Sequence, residues 1–127
     1  MIVGLLAMLL LAPARVDRAC RSPQTQSEMN RCAALDFARA DSALNLAWRA
    51  AVAVERQQDA DSADGRPSAE GKLREAQRAW LVFRDSHCTV EGYAARGGTM
   101  ESMLENGCRA RLTRERTGQL RALGTAN

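Results

Sequence analysis

The only histidine of the chain, His87, stands between Ser86 and Cys88, and acid–base or nucleophilic chemistry would first be sought there. Neighbouring residues on a helix point about 100° apart, so Ser86 and His87 are not oriented as a nucleophile and its base. The helical pattern of the sequence also does not fix any two carboxylates close to each other. We therefore predict that the protein is not an enzyme and has no catalytic residue.

A metal site is disfavoured as well. Structural zinc sites usually take ligands from pairs such as Cys-x-x-Cys, and that spacing does not occur in the sequence. Cys88 directly follows His87, which is too close for both side chains to bind one ion comfortably on a helix. We predict neither a metal nor another cofactor.

The four cysteines, Cys20, Cys32, Cys88 and Cys108, indicate disulfide bonds instead. An even number of cysteines in a short exported chain is typical of a disulfide framework, since such bonds persist in oxidising compartments. Four cysteines allow two disulfides in three possible connectivities. The positions of the cysteines on the predicted helices, given below, decide between these three connectivities.

The beginning of the sequence indicates export. An apolar run, Ile2 to Leu11, precedes Ala12-Pro13-Ala14, which is typical of a signal peptide and its cleavage site. The run is too short to span a bilayer. A lipoprotein would be cleaved before Cys20, but Asp17 and Arg18 stand where small or apolar residues are expected. We expect a signal peptide at residues 1–14, a periplasmic or secreted location, and no stable membrane insertion after cleavage.

Composition indicates one helical domain, spanning residues 15–127. A length of 127 residues allows a single hydrophobic core. Aromatic residues make up 4% of the chain, while alanine, leucine, arginine and glutamate are frequent, which favours helix over sheet. The net charge of +3 is mild and does not indicate a nucleic-acid partner.

The first predicted helix begins at Thr25, because Thr25 and Glu28 form a capping box. Apolar residues then recur at steps of three and four until about Gln57. The main stripe consists of Met29, Ala33, Phe37, Ala40, Leu44, Ala47, Ala51 and Val54. A second apolar row, with Leu35, Leu46, Trp48 and Val52, predicts that this helix lies between two neighbours.

A solvated loop with more acidic than basic residues is predicted at Asp59–Gly71. The second helix should run from about Ser68 to Val90 or slightly beyond, and end before Gly97-Gly98. Its apolar stripe is Leu73, Ala76, Trp80 and Phe83. Because Trp80 and Phe83 can bury much surface, we expect this stripe to face the core.

The third helix should follow the glycine turn, with Thr99 as its N-cap. Its apolar side consists of Met100, Met103, Leu104, Cys108, Leu112, Leu120 and Leu123. Its polar side carries Arg109, Arg111, Arg114, Arg116 and Arg121. A solvated helix surface is the simplest interpretation of this basic side.

These elements predict an all-α fold, an antiparallel three-helix bundle cross-linked by two disulfides. A hairpin that turns near Ser62 places Asp41 level with Arg84, so we expect a partly buried ion pair between them. Asn45 should lie level with Trp80 and be hydrogen-bonded nearby. Asp85 is expected to bridge to the third helix at Arg111 or Arg116, which completes a structural ion-pair network of Asp41, Arg84, Asp85 and Arg116.

The same hairpin geometry predicts which cysteines form each disulfide. Cys88 and Cys108 each stand ten residues from a turn at Gly98, so they should face each other. Cys20 then pairs with Cys32, since an extended N-terminal segment can reach back along the first helix. The rival arrangement joins Cys20 to Cys88 and Cys32 to Cys108, and would connect the first and third helices directly.

Several motifs in fixed order resemble one bacterial family. They are Thr25-Gln-Ser-Glu-Met-Asn-Arg-Cys-Ala33, Ala40-Asp41 with Leu44-Asn45, Ala76-Gln-Arg-Ala-Trp80 with Phe83-Arg-Asp85 and Cys88, Gly97-Gly-Thr99, and Cys108 with Leu112-Thr113 and Arg116. This order, over about residues 20–123, is similar to the secreted family built on the N-terminal domain of the lysozyme inhibitor LprI. The resemblance implies a helical, disulfide-bonded envelope domain. This sequence departs from the lipoprotein LprI in lacking a lipobox, so we do not expect a lipid anchor.

Two functions follow from the resemblance and the charge pattern. The first is a binding protein of the envelope that inhibits lysozyme, with lysozyme or another envelope protein as its partner. The second is a structural or accessory envelope protein without inhibitory activity, which binds anionic envelope material through the arginines of the third helix. The acidic loop is the one feature expected to attract a strongly basic lysozyme, because the chain as a whole is basic.

Overall fold

The computed structural model of the protein describes residues 18–125, and the predicted signal peptide at residues 1–14 lies outside them. The elements in chain order are α1 (Gln26–Asp61), α2 (Ala69–Gly92), a short 3-10 turn (Tyr93–Ala95) and α3 (Glu101–Thr125). There is no β-strand within the described range. The predicted all-α class and the three helices are confirmed.

The capping box at the start of α1 is formed as expected. The Glu28 amide donates to Thr25 Oγ1 at 3.2 Å, and Glu28 Oε2 accepts from the amides of Gln24 and Thr25 at 2.7 and 3.1 Å. These backbone hydrogen bonds favour the charged carboxylate, so they lower the pKa of Glu28. The helix therefore begins with its first amide groups satisfied and an acid in its first turn.

The helix ends differ from the prediction by a few residues. α1 continues to Asp61, where Gln57 Nε2 donates to the Asp61 carboxylate at 3.2 Å, so the loop is shortened to residues 62–68. Ser68 caps α2 by accepting from the Gly71 amide at 3.0 Å. α3 begins at Glu101, two residues beyond the expected cap Thr99.

The helices run up, down and up. Contacts between α1 and α2 pair Asp41 with Arg84 and Trp48 with Arg74, so the two helices are antiparallel. α2 and α3 are antiparallel as well, because Cys88 is joined to Cys108 and Gln77 meets Arg116. α1 and α3 consequently run in the same direction, side by side.

Two adjoining clusters form the core. The larger one contains Leu44, Ala47, Ala51, Val52, Leu73 and Leu120, and the smaller one contains Cys88, Cys108 and Leu112. Trp80 packs against both clusters and so joins them. The alanines on the inner side of α1 allow α3 to approach closely, because the distance between packed helices depends on the side chains at the contact.

The two disulfides have the predicted connectivity. Cys20 is bonded to Cys32 with a Cα–Cα distance of 5.5 Å, which holds the segment before α1 against the helix. Cys88 is bonded to Cys108 with a Cα–Cα distance of 5.4 Å, which links α2 to α3. The rival pairing of Cys20 with Cys88 is therefore wrong. Among residues 18–125, no helix has the length and apolar character needed to cross a membrane.

Candidate functional site

Arg84 lies at the centre of the predicted ion-pair network, on the inner side of α2. Its side chain is 8% exposed, and its guanidinium lies 5.1 Å from the ring centroids of both Phe37 and Trp80. A flat, weakly hydrated guanidinium can be buried between aromatic rings because it stacks on their faces. The buried side of α2 therefore contains a charged residue at its centre.

Polar contacts from Arg84 reach all three helices. Nη1 lies 3.4 Å from Asp41 Oδ1 on α1 and donates to Thr113 Oγ1 on α3 at 3.2 Å, while Nε donates to Asp85 Oδ1 at 2.9 Å. The side chain of Asp41 is 42% exposed, so one end of the network reaches solvent. This arrangement fixes the relative positions of the three helices.

The outer part of the network differs from the prediction. Asp85 lies 3.6 Å from Arg109 Nε rather than against Arg111 or Arg116. Arg111 is bound by Glu91 at 2.7 Å, and Arg116 donates to Gln77 Oε1 at 3.0 Å. Partial burial at that position lowers the pKa of Arg116. Arg116 thus belongs to a separate contact between α2 and α3.

Asn45 also differs from the prediction. It is exposed and lies in a shallow groove of about 420 Å³ between α1 and α2, with Trp48 and Arg78 beside it. Within the part of the chain that the structure describes, its side chain makes no hydrogen bond. The sequence placed it at the right level but could not show which way it faces.

His87 is exposed and belongs to the surface of α2. Its ring stacks on Phe83 with centroids 5.3 Å apart, and Nε2 lies 3.0 Å from Glu91 Oε1. Cys108 is close enough to complete a group of three possible metal ligands. The sulfur of Cys108 is bonded to Cys88, however, so it cannot act as a thiolate ligand.

The outer face of α2 is an apolar surface that the described chain does not cover, which corrects the prediction for Phe83. We define this face by Ala76, Ala79, Phe83, His87 and Val90, which helical periodicity places on one side. Phe83 is 55% exposed and Val90 is 66% exposed. The buried side of α2 carries Leu73, Gln77, Arg84, Cys88 and Gly92 instead.

One signal in the sequence could have identified this face. Cys88 must point toward α3 to reach Cys108, and residues 77, 80, 81 and 84 share its side of the helix. Phe83 and Val90 then point outward. The signal is easily missed because the inward side contains Gln77 and Arg84, which hydrophobicity alone assigns to solvent.

Comparisons with known proteins agree on one family. The family model described as lysozyme inhibitor LprI matches residues 17–120. An uncharacterized protein of Rhizobium meliloti (strain 1021) is 41% identical over 118 residues, which covers 88% of this chain and 85% of the relative. A crystal structure of a DUF1311 family protein from Pseudomonas putida KT2440 superposes with a TM-score of 0.68 at 28% identity, covering 85% of this chain and 99% of that one. The chain therefore belongs to the LprI lysozyme inhibitor family.

Proposed function

We propose that this protein is a binding protein of the bacterial envelope that inhibits a muramidase-type lysozyme, without chemistry of its own. The observation that carries the proposal is the uncovered apolar outer face of α2 in a chain that matches the lysozyme inhibitor LprI over residues 17–120. A contiguous exposed apolar surface is a common mark of a protein–protein interface. Lysozyme is the partner that the family suggests.

Rigidity supports the use of this face for binding. α2 is joined to α3 by the Cys88–Cys108 disulfide and to all neighbours through Arg84, so its surface is ordered before a partner arrives. A preordered surface loses little conformational entropy on association. Aromatic residues such as Phe83 are also the residues that most often dominate binding energy at interfaces.

Attraction between net charges does not support the association. Lysozymes of the host type are strongly basic, and this chain has a net charge of +3. Two acids of the predicted acidic loop are already engaged within the fold, because Asp59 accepts from the Ala69 and Glu70 amides and Glu70 binds Arg56 and Arg74. Binding should therefore depend on contact at short range and respond weakly to salt.

Three of the five arginines on the basic side of α3 are paired with carboxylates. Arg109 lies 2.6 Å from Glu105, Arg111 lies 2.7 Å from Glu91, and Arg114 is paired with Asp36. These three guanidinium groups are already engaged, and Arg116 donates to Gln77 and Gln119. This disfavours the accessory function, which requires an open basic surface.

A lysis assay tests the proposal. The purified protein, with both disulfides intact, is titrated against lysozyme acting on a suspension of peptidoglycan, and turbidity is followed with time. We expect lysis to slow in proportion to the protein added until lysozyme is saturated. Normal lysis at a large molar excess would rule out inhibition of that lysozyme. Strongly salt-dependent binding to peptidoglycan would then favour the accessory function.

A matched pair of variants locates the surface. Phe83→Glu places a charge on the outer face of α2, while Leu46→Glu changes an equally exposed apolar residue of α1. We expect Phe83→Glu to abolish inhibition and Leu46→Glu to retain it. Equal effects of the two changes would show that the outer face of α2 is not the binding surface.

We also propose that the protein acts outside the cytoplasm. Both pairs of cysteines are bonded, and such disulfides are stable in oxidising compartments such as the periplasm. Cell fractionation tests the location, and the mass of the mature chain tests the expected cleavage after Ala14. Recovery of the full-length chain with free thiols from the cytoplasm would contradict both expectations.

A further inference from the structure

The connection between α2 and α3 forms one tip of the bundle, directly beyond the outer face of α2. It comprises the 3-10 turn Tyr93–Ala95, then Arg96, Gly97, Gly98, Thr99 and Met100, and we call it the 93–100 turn. Gly97 has φ of +76°, a left-handed conformation that a residue with a side chain rarely adopts. This glycine lets the chain reverse direction between α2 and α3.

Hydrogen bonds within its own backbone and with two side chains outside it hold the 93–100 turn. The Arg96 amide donates to the Tyr93 carbonyl at 3.2 Å, and the Gly98 amide donates to the Ala95 carbonyl at 2.8 Å. The Gly97 amide donates to Glu101 Oε2 at 2.7 Å. Asn30 of α1 also donates to the Thr99 carbonyl at 2.8 Å, which ties the turn to a second helix.

Tyr93 and Arg96 are exposed together on this tip. The Arg96 guanidinium lies 4.5 Å from the centroid of the Tyr93 ring. Across residues 18–125, no carboxylate lies within ion-pair distance of Arg96, whereas Arg109, Arg111 and Arg114 of α3 are each paired with one. The ring orients the cation without neutralising it, and tyrosine and arginine are both enriched among residues that dominate binding.

The charge of the Arg96 guanidinium is complementary to the catalytic centre of a muramidase. Glycosidases of this kind place two carboxyl groups beside the scissile bond and stabilise a transition state with positive charge on the sugar. A guanidinium placed between these groups would form charge-assisted hydrogen bonds in a water-poor cleft. Such a contact acts at short range, so it does not require the opposite net charge that this chain lacks.

We propose that the 93–100 turn enters the cleft of the lysozyme, with Arg96 paired to the catalytic carboxyl groups and Tyr93 packed beside it. This inference rests on the proposed inhibitory function and names the part of the surface that blocks catalysis. Val90, on the outer face of α2, lies one helical turn before Ala94, so this face continues into the 93–100 turn. The outer face of α2 then contacts the rim of the cleft while the turn occupies its interior.

A charge reversal with a matched control tests the inference. Arg96→Glu is compared with Arg66→Glu, which changes an 82% exposed arginine in the loop at the opposite tip of the bundle. We expect Arg96→Glu to raise the inhibition constant by at least ~30-fold, as loss of a dominant interface residue does. Tyr93→Ala should weaken inhibition in the same direction, and Arg66→Glu should leave it within about twofold. Circular dichroism confirms that each variant is folded.

Two further measurements separate entry into the cleft from binding elsewhere. An oligosaccharide of N-acetylglucosamine that occupies the cleft should compete with the inhibitor for lysozyme. A lysozyme whose catalytic glutamate is replaced by glutamine should bind the wild-type inhibitor more weakly. Arg96→Ala, which removes the guanidinium without adding a charge, should then weaken binding less than it does against unaltered lysozyme, since part of its contact is already lost.

The possible outcomes distinguish this inference from the function on which it rests. If the wild-type protein inhibits lysozyme, the oligosaccharide does not compete, and Arg96→Glu inhibits normally, the cleft inference is wrong while the inhibitory function stands. If the wild-type protein does not inhibit, both are wrong. Competition together with loss of inhibition in Arg96→Glu supports both.

Discussion

At the scale of single residues, Arg84 shows how a charged side chain can occupy the centre of a small helical core. Stacking on two rings replaces part of its hydration, and Asp41, Asp85 and Thr113 satisfy its polar atoms. The two acids are not equivalent to the arginine, because Asp41 and Asp85 are both about half exposed. A carboxylate left without its partner can therefore be solvated, whereas the buried guanidinium cannot.

Removing Arg84 should therefore destabilise the fold more than removing its partner Asp41. We expect Arg84→Ala to lower the free energy of unfolding by ~3 kcal/mol, because it leaves a cavity between two rings and breaks contacts to two helices. Asp41→Ala should lower it by only ~1 kcal/mol, since Asp85 and Thr113 still satisfy Arg84. Urea unfolding with intact disulfides measures both, with Arg49→Ala on the exposed side of α1 as the control. Equal losses for Arg84→Ala and Asp41→Ala would show that the network is an ordinary surface ion pair.

Glu70 provides a second prediction at this scale, through pH. Hydrogen bonds from Arg56 and Arg74 lower the pKa of Glu70 to about 2, from an ordinary value of 4.5. Between these values the unfolded chain binds the proton more readily than the folded chain, so the stabilisation is present above about pH 4.5 and is lost as the pH falls toward 2. We expect the unfolding temperature of wild type to fall over this window, and that of Glu70→Gln to fall less. Asp61→Asn, in the last turn of α1, is the control and should follow wild type.

At the scale of the helices, local rules predict the ends and tertiary contacts decide the faces. The capping box at Thr25, the cap at Ser68 and the glycine turn at Gly97 were readable in the sequence, because each satisfies backbone groups within a few residues. Hydrophobicity alone did not show which side of α2 faces the core, because it placed Phe83 inside. The buried side includes Gln77 and Arg84, whose partners lie on other helices and have no local signature.

Exposure of Phe83 leads to a prediction about stability. Phe83→Ala should change the free energy of unfolding by less than ~1 kcal/mol, because the ring already contacts water and loses mainly its stacking on His87. Leu44→Ala, in the larger core cluster, should lower it by ~2–5 kcal/mol. Thermal and urea unfolding measure both changes. A loss for Phe83→Ala as large as that for Leu44→Ala would place the ring in the core, as hydrophobicity alone predicted.

At the scale of the whole molecule, the disulfides and the order of the helices follow from one argument about turns. Two antiparallel hairpins place Cys88 opposite Cys108 and leave Cys20 for Cys32, and both bonds are present. Pairing of residues at the same level was therefore predictable, while the choice among neighbouring long side chains was not. Arg109 rather than Arg111 contacts Asp85 because Arg111 reaches Glu91, and flexible arginines can span either distance.

The two disulfides should stabilise the molecule to different extents, although their loops are similar. Their sequence separations are 12 and 20 residues, and loop-closure entropy alone predicts ~3 kcal/mol for each. Cys88 and Cys108 are also buried in the core, whereas Cys20 and Cys32 are partly exposed. Replacing Cys88 and Cys108 together by alanine leaves a cavity in the core and also removes a cross-link that constrains the unfolded chain. We therefore expect it to reduce stability by more than ~3 kcal/mol.

Replacing Cys20 and Cys32 together by alanine should reduce stability less than removing Cys88–Cys108, because the segment before α1 contributes little else to the core. Urea unfolding of both double variants measures the difference, and single replacements are avoided because they leave a free thiol. Proteolysis adds a positional readout. Loss of Cys20–Cys32 should expose the chain near residues 18–24 while the helices stay resistant, whereas loss of Cys88–Cys108 should make α2 and α3 susceptible together. If removal of Cys20–Cys32 were the more damaging change, the segment before α1 would have to be part of the core.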